Sequence, residues 1–196
     1  MSQRLQGKGL EMRRIGGSKK ERGTSLIEML IALLVLTIGL VGSVAVVGVA
    51  IGSNSRSKKD TTSTALAEMV ISRISSVPVG GGVSTVTITD CANNNLTIAT
   101  TGATTGSGAN LTSAGKVDFS QSFSSVTANY AMPYTVCGVN TGTKTVYDVR
   151  WNIKSIGSPA KTEFVVVGAR SMDTSGTALQ RASSVNIRTI VGNDGN

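Results

Sequence analysis

Gly23-Thr24-Ser25-Leu26-Ile27-Glu28-Met29-Leu30 opens the stretch that decides the fold, and from Met29 to Ile51 the chain runs for 23 residues without a charge or a proline. Leu, Ile and Val dominate, interrupted by the small residues Ala32, Gly39, Gly42, Ala45 and Gly48. An uncharged apolar run longer than about 18 residues predicts a membrane-spanning helix. As one helix, Leu26–Ile51 would be about 39 Å long at ~1.5 Å per residue, enough to cross a ~30 Å hydrocarbon core with some tilt. Two features set it apart from a plain anchor: one carboxylate, Glu28, lies just inside its start, and a basic segment ending in Gly23 precedes it. A cleavable secretory signal is the plainer alternative, but the apolar run exceeds the 7–15 residues of such a signal and no clean Ala-x-Ala site follows it.

Residues 1–23 carry seven Lys/Arg and two Glu, so five of the eight net positive charges lie there, and the remaining residues hold only three. That segment is polar, glycine-rich and without hydrophobic period, which predicts disorder, and its cations should hold it on the cytoplasmic side. The rest of the chain lacks the dense cationic surface that phosphate tracking needs, which argues against nucleic acid as a partner.

Lys19-Lys20-Glu21-Arg22-Gly23, then Thr24-Ser25-Leu26-Ile27-Glu28 and the apolar run, closely resembles the cleavage and methylation signal of type IV prepilins. The continuation Met29-Leu30, Ala32-Leu33-Leu34-Val35-Leu36, Ile38-Gly39-Leu40, Gly42 is most similar to the minor pilins of the PilV (pilus-modification) type. The resemblance implies cleavage between Gly23 and Thr24 by an inner-membrane prepilin peptidase and N-methylation of Thr24, where many pilins carry Phe. It implies that Glu28 meets the N-terminal amine of a neighbouring subunit in a filament. The partners so implied are that peptidase, major and minor pilin subunits, the inner-membrane assembly platform and the lipid bilayer. The expected location is a single-pass inner-membrane protein, N-terminus cytoplasmic and C-terminal domain periplasmic, then the cell-surface pilus.

Glycine at the cleavage point lets an enzyme approach the backbone closely. Glu28 is the sharper case, because a carboxylate at the edge of hydrocarbon is costly and such residues usually find a partner. Removing a leader creates a cation, and two opposite charges tolerate apolar surroundings better than one.

The sequence divides into a leader at 1–23, a hydrophobic helix at 24–52, an amphipathic continuation at 53–79 and a β domain at 80–196. In the continuation, Leu66, Met69, Val70, Ile74 and Val77 form one apolar stripe, expected to pack as core. Thr61-Thr62 lowers helix propensity, which leaves room for a bend or a frayed turn there within one long helix. Val77-Pro78 and Gly80-Gly81-Gly82 end the helix. Strands are expected at Val83–Asp90, Leu96–Thr101, Lys144–Lys154, Glu163–Ala169 and Val185–Val191, with a turn at Gly157-Ser158-Pro159. Thr100–Ser113 reads as a patternless loop, and 116–143 carries no clear assignment. In Lys144–Lys154, Tyr147, Val149, Trp151 and Ile153 alternate with Asp148, Arg150, Asn152 and Lys154, predicting a sheet solvated on its polar side. The expected fold class is α+β and pilin-like: a long N-terminal helix, its second half packed on an antiparallel sheet of about four or five strands.

Cys91 and Cys137 would lie in an oxidising compartment if the β domain is exported, which favours a disulfide over two buried or free thiols. No catalytic residue, metal site or cofactor is expected. The chain has no histidine, which removes the usual general base and the commonest metal ligand, and Glu163 and Asp173 read as solvated charges. Arg150, Lys154, Arg170, Arg181 and Arg188 would permit, without requiring, a DNA-uptake or adhesive role, and a pseudopilin of a type II secretion system shares the same signal. Trp151 and Tyr147 fit a core face better than a base-stacking platform.

Overall fold

A computed structural model describes residues 23–80, 84–138, 142–157, 160–173 and 183–192. The residues before Gly23, read from sequence as a leader, and Gly81-Gly82, Ser158-Pro159 and Arg181 lie outside the described residues. The chain divides into two compact units, Met1–Ala45 and Val46–Asn196.

One helix, α1, runs unbroken from Leu26 to Ser75, 50 residues. The helix continues without a break through Thr61-Thr62, where both threonine hydroxyls donate to carbonyls four residues back, Ser57 at 2.9 Å and Lys58 at 2.9 Å. The helix stops three residues before Pro78, as the pyrrolidine constraint on the preceding residue requires.

In the second unit, a hairpin of β1 (Thr85–Thr89) and β2 (Asn95–Ala99) stands apart from a five-stranded antiparallel sheet. That sheet comprises β3 (Ser107–Gly108), β4 (Ala131–Cys137), β5 (Lys144–Ile156), β6 (Thr162–Ser171) and β7 (Val185–Gly192). β5 is central: β6 pairs along one side, while β3 and β4 share the other, and β7 closes the far edge beyond β6. The α+β arrangement expected from sequence is what forms. β4 is a strand that the sequence pattern does not announce. Pro133 lies within it, which an edge strand tolerates because one side of its backbone needs no partner.

One face of the sheet carries the main core. Leu66, Ala67, Val70 and Ile74 of α1 meet Met132, Tyr147, Val149, Trp151, Ile153, Val165, Val167 and Ala169. Leu66, Met69, Val70 and Ile74 of the helical stripe thus pack as core, without Val77, and Trp151 lies in the interior with its indole N–H donating to the Ala99 carbonyl at 3.0 Å.

The opposite face corrects the sequence reading. Asp148 and Arg150 are buried, 1% and 2% exposed, because the segment from Ala109 to Val126 folds over that face. Ala109 and Val117 pack on Val166, with Phe119, Val126 and Phe164 around them. Gly168 makes room for this cover: a Cβ there would lie 2.8 Å from Val117 Cβ and 3.0 Å from the Phe119 ring. Ala109–Val126, which joins the end of the expected loop to the start of the unassigned segment, is therefore a lid of small and aromatic residues over a polar sheet face.

Candidate functional site at the helix start and its supporting domain

The start of α1 exposes the residues expected to carry processing and assembly. Gly23 and Thr24 precede the helix and are exposed. A Cβ at Gly23 would meet nothing within 4 Å, and its backbone is outside the left-handed region. No contact or conformation within the described chain requires glycine there. The Ser25 carbonyl accepts from the Glu28 N–H at 2.9 Å and the Met29 N–H at 3.2 Å, making Ser25 the N-cap. Ser25 and Glu28 thus stand at capping-box spacing. The carboxylate lies in the first turn, where the helix dipole favours negative charge by about 0.3–1 kcal/mol.

Around Glu28 the helix surface is apolar on every side. Seventeen large apolar side chains between Leu26 and Ile51 are at least 55% exposed. At roughly 1 kcal/mol or more for each such side chain, leaving them in water would cost more than the ~5–15 kcal/mol that holds a typical domain folded. The stretch needs lipid or other apolar helices around it, and it is long and apolar enough to cross a membrane.

The second unit is held together internally by polar clamps. Cys91 and Cys137 are joined as a disulfide with a Cα–Cα distance of 6.0 Å, tying the β1–β2 turn to the end of β4. Beside it, the buried Asp90 carboxylate accepts from the Ala92 and Asn94 N–H groups at 2.9 Å each, the Asn94 side-chain amide at 2.9 Å and the Thr135 N–H at 3.2 Å. Burial alone would raise its pKa, but the hydrogen bonds from Asn94 and Thr135 outweigh it and hold Asp90 down to about 2.

Glu163 is 2% exposed, so it is no solvated charge. Burial pushes its pKa up, against hydrogen bonds from the Gly102 N–H and the Ser155 hydroxyl. The Ser155 hydroxyl lies 2.5 Å from the Gly102 carbonyl and 3.3 Å from the Glu163 carboxylate. Asp173 accepts from Lys59 at 2.9 Å.

The five cations that would have formed a ligand-binding set do not act as one. Arg150 is interior, chelating Asp148 through two contacts of 2.8 Å and donating to the Gln121 carbonyl at 2.6 Å. Arg170 reaches the same Asp148 at 3.1 Å and lies over the Phe119 ring. Arg188 donates to the Ala114 carbonyl at 2.5 Å. Lys154 is exposed, and Arg181 is outside the described residues. Three of the five are thus engaged in holding the lid over the sheet, a use that the sequence pattern did not signal. Tyr147 and Trp151 are buried, so neither offers a stacking face. Among the described residues, no group of three or more His, Cys, Asp or Glu could hold a metal ion.

No curated protein and no solved structure matches the chain. Residues 18–44 match the family described as the prokaryotic N-terminal methylation motif, a structural rather than catalytic class. The match spans the Gly23–Thr24 junction, Glu28 and most of the apolar half of α1, and it is the signal of type IV pilin-like and pseudopilin-like proteins.

Proposed function

We propose that this chain is a minor type IV pilin. A prepilin peptidase cleaves it between Gly23 and Thr24, Thr24 is N-methylated, and it then enters or primes a pilus through the apolar half of α1. The observation that carries the reading is the coincidence of the methylation motif at residues 18–44 with a helix half left bare of packing. The open surroundings of Gly23 support it: a glycine that the described fold does not require suits an enzyme that must approach the backbone.

Cleavage leaves a cation at Thr24, four residues from Glu28. Paired with the amine of an adjacent subunit, Glu28 would set the axial register of neighbouring helices, because an unpaired carboxylate inside an apolar bundle is far costlier than a paired one. Residues 1–23 are the leader in this reading, 24–52 the bundle segment, 53–79 the packed continuation and 80–196 the exported domain. The sequence likeness to PilV-type minor pilins favours a pilus over a secretion pseudopilus.

Mass spectrometry of the membrane-associated protein tests the class, and a chain beginning at methylated Thr24 is the expected result. A chain that keeps Met1 through Gly23 in cells carrying the peptidase refutes it. Deleting the gene should then reduce surface piliation. A secretion defect with intact pili would instead assign the protein to a pseudopilus.

A further inference from the structure

A polar cleft of about 540 Å³ opens between α1 and the adjoining ends of β4 and β5. Ser55, Lys58, Lys59 and Thr62 line it from the helix, at the spacing i, i+3, i+4, i+7 that places them on one stripe. Thr145 and Tyr147 of β5 face them, above Val136 and the Cys137 end of the disulfide. The cleft holds unspent hydrogen-bond donors. Among the described residues no hydrogen bond engages the Tyr147 hydroxyl, Ser55 Oγ, Thr145 Oγ1 or Lys58 Nζ, and none of these atoms is a buried polar group sealed from solvent. Lys59 is committed to Asp173 at 2.9 Å.

A cation beside three neutral hydroxyls suits an acceptor-rich anion, and phosphate oxygens are such acceptors. The height of the cleft along the helix names the source. Ser55 is four residues beyond Ile51, the last of the apolar run, and Lys59 eight. At ~1.5 Å rise per residue these side chains sit about 6–12 Å past the hydrocarbon edge, the depth of lipid headgroups. We infer that this cleft binds the phosphate of an anionic phospholipid headgroup, with Lys58 as the charge partner and Ser55, Thr145 and Tyr147 as hydroxyl donors. The inference rests on the reading of Leu26–Ile51 as a membrane span. It gives the stored, pre-assembly subunit a seated lipid at the base of its exported domain.

The test is native mass spectrometry of the full chain extracted from nanodiscs of phosphatidylcholine, alone or mixed with phosphatidylglycerol. One phosphatidylglycerol should remain bound. Retention should fall about tenfold or more in Lys58→Ser and severalfold in Tyr147→Phe, and should survive in Lys58→Arg. Arg56→Ser, a cation at the same depth that does not line the cleft, should retain lipid normally. Intact Trp151 fluorescence and an intact disulfide certify folding of each variant. Equal retention of both lipids overturns the inference, as does equal loss in Arg56→Ser, which would reduce the effect to general surface charge. Displacement of the lipid by millimolar inorganic phosphate would make this a free-anion site and overturn the lipid assignment. Extraction of the chain from membranes by alkaline carbonate would instead refute the membrane-span reading itself.

Discussion

Replacing Arg150 by Met tests whether the polar sheet face is held by one buried ionic knot. Arg150 is 2% exposed and Asp148 1% exposed, with the two side chains chelated at 2.8 Å on both arms. Methionine keeps much of the stem volume, so little of the cost comes from a cavity. The main term is the carboxylate left behind, for which breaking a buried pair costs about 3–5 kcal/mol. Arg170 softens this, since it still reaches Asp148 at 3.1 Å, but it is 40% exposed and held by water as well. The lid also loses the Gln121 contact and the guanidinium between the Phe119 and Phe123 rings. A net loss of about 3 kcal/mol follows, or a shift of roughly 1–2 M in the urea midpoint at an ordinary slope. Trp151, the sole tryptophan and fully buried, reports the transition by fluorescence in the detergent-solubilised full chain. Adding Asp148→Leu should restore most of the loss, because the double variant removes both charges together. A single-variant cost below about 1 kcal/mol, or single costs that merely add in the double variant, would refute the ionic knot.

Glu163→Gln should stabilise the domain near neutral pH. Its folded-state pKa is raised by burial, so its favourable contribution is complete below the ordinary carboxylate range and is lost as pH rises through the folded value. Urea midpoints measured across that range should therefore fall with pH in the native chain and flatten in the variant. Reducing the Cys91–Cys137 bridge, which spans 46 residues of sequence, should cost about 4 kcal/mol on the chain-entropy account, read as the midpoint difference with and without reductant. Gly168→Val should destabilise by about 1–3 kcal/mol through overpacking against Val117 and Phe119, and near-ultraviolet circular dichroism should show the aromatic lid disturbed.

The parts of the fold that follow a simple period were legible in the sequence. The helix announced itself through an uninterrupted apolar run and then a stripe at Leu66, Val70 and Ile74. β5 announced itself by strict alternation, and its apolar side is indeed the main core. Its polar side misled because alternation shows only that two faces differ. Whether the second face meets water depends on the segment that crosses it, and Ala109–Val126 has no period from which that crossing could be inferred. Its cover is built by Arg150, Arg170 and Arg188 reaching loop carbonyls and aromatic rings, a set of long-range contacts between residues far apart in sequence. β4 was hidden for a local reason, since Pro133 normally argues against a strand and only its edge position removes the objection. At the helix start the situation reverses. Gly23, Thr24 and Glu28 are adjacent in sequence, so their spacing was visible without any fold, whereas the cleft beside Lys58 needed β5 to be folded back against α1 before its donors could converge.

This contrast separates folding from assembly within one helix. The core residues of α1 begin at Leu66, while Glu28 is exposed in its first turn. Glu28→Ala should therefore leave the Trp151-reported unfolding midpoint unchanged, within the ±0.5 kcal/mol usual for surface substitutions. It should also leave membrane insertion and cleavage after Gly23 intact, because both precede any contact between subunits. In the proposed mechanism it removes the counter-charge for a neighbour's new amine, so the deficit should appear only as reduced incorporation into filaments, measured by immunoblotting of sheared surface fractions against total membrane protein. A variant equally depleted from both fractions would mean that Glu28 acts on folding or insertion. Normal incorporation would mean that register is set by helix packing alone, and either result would remove the charge pairing from the proposed mechanism.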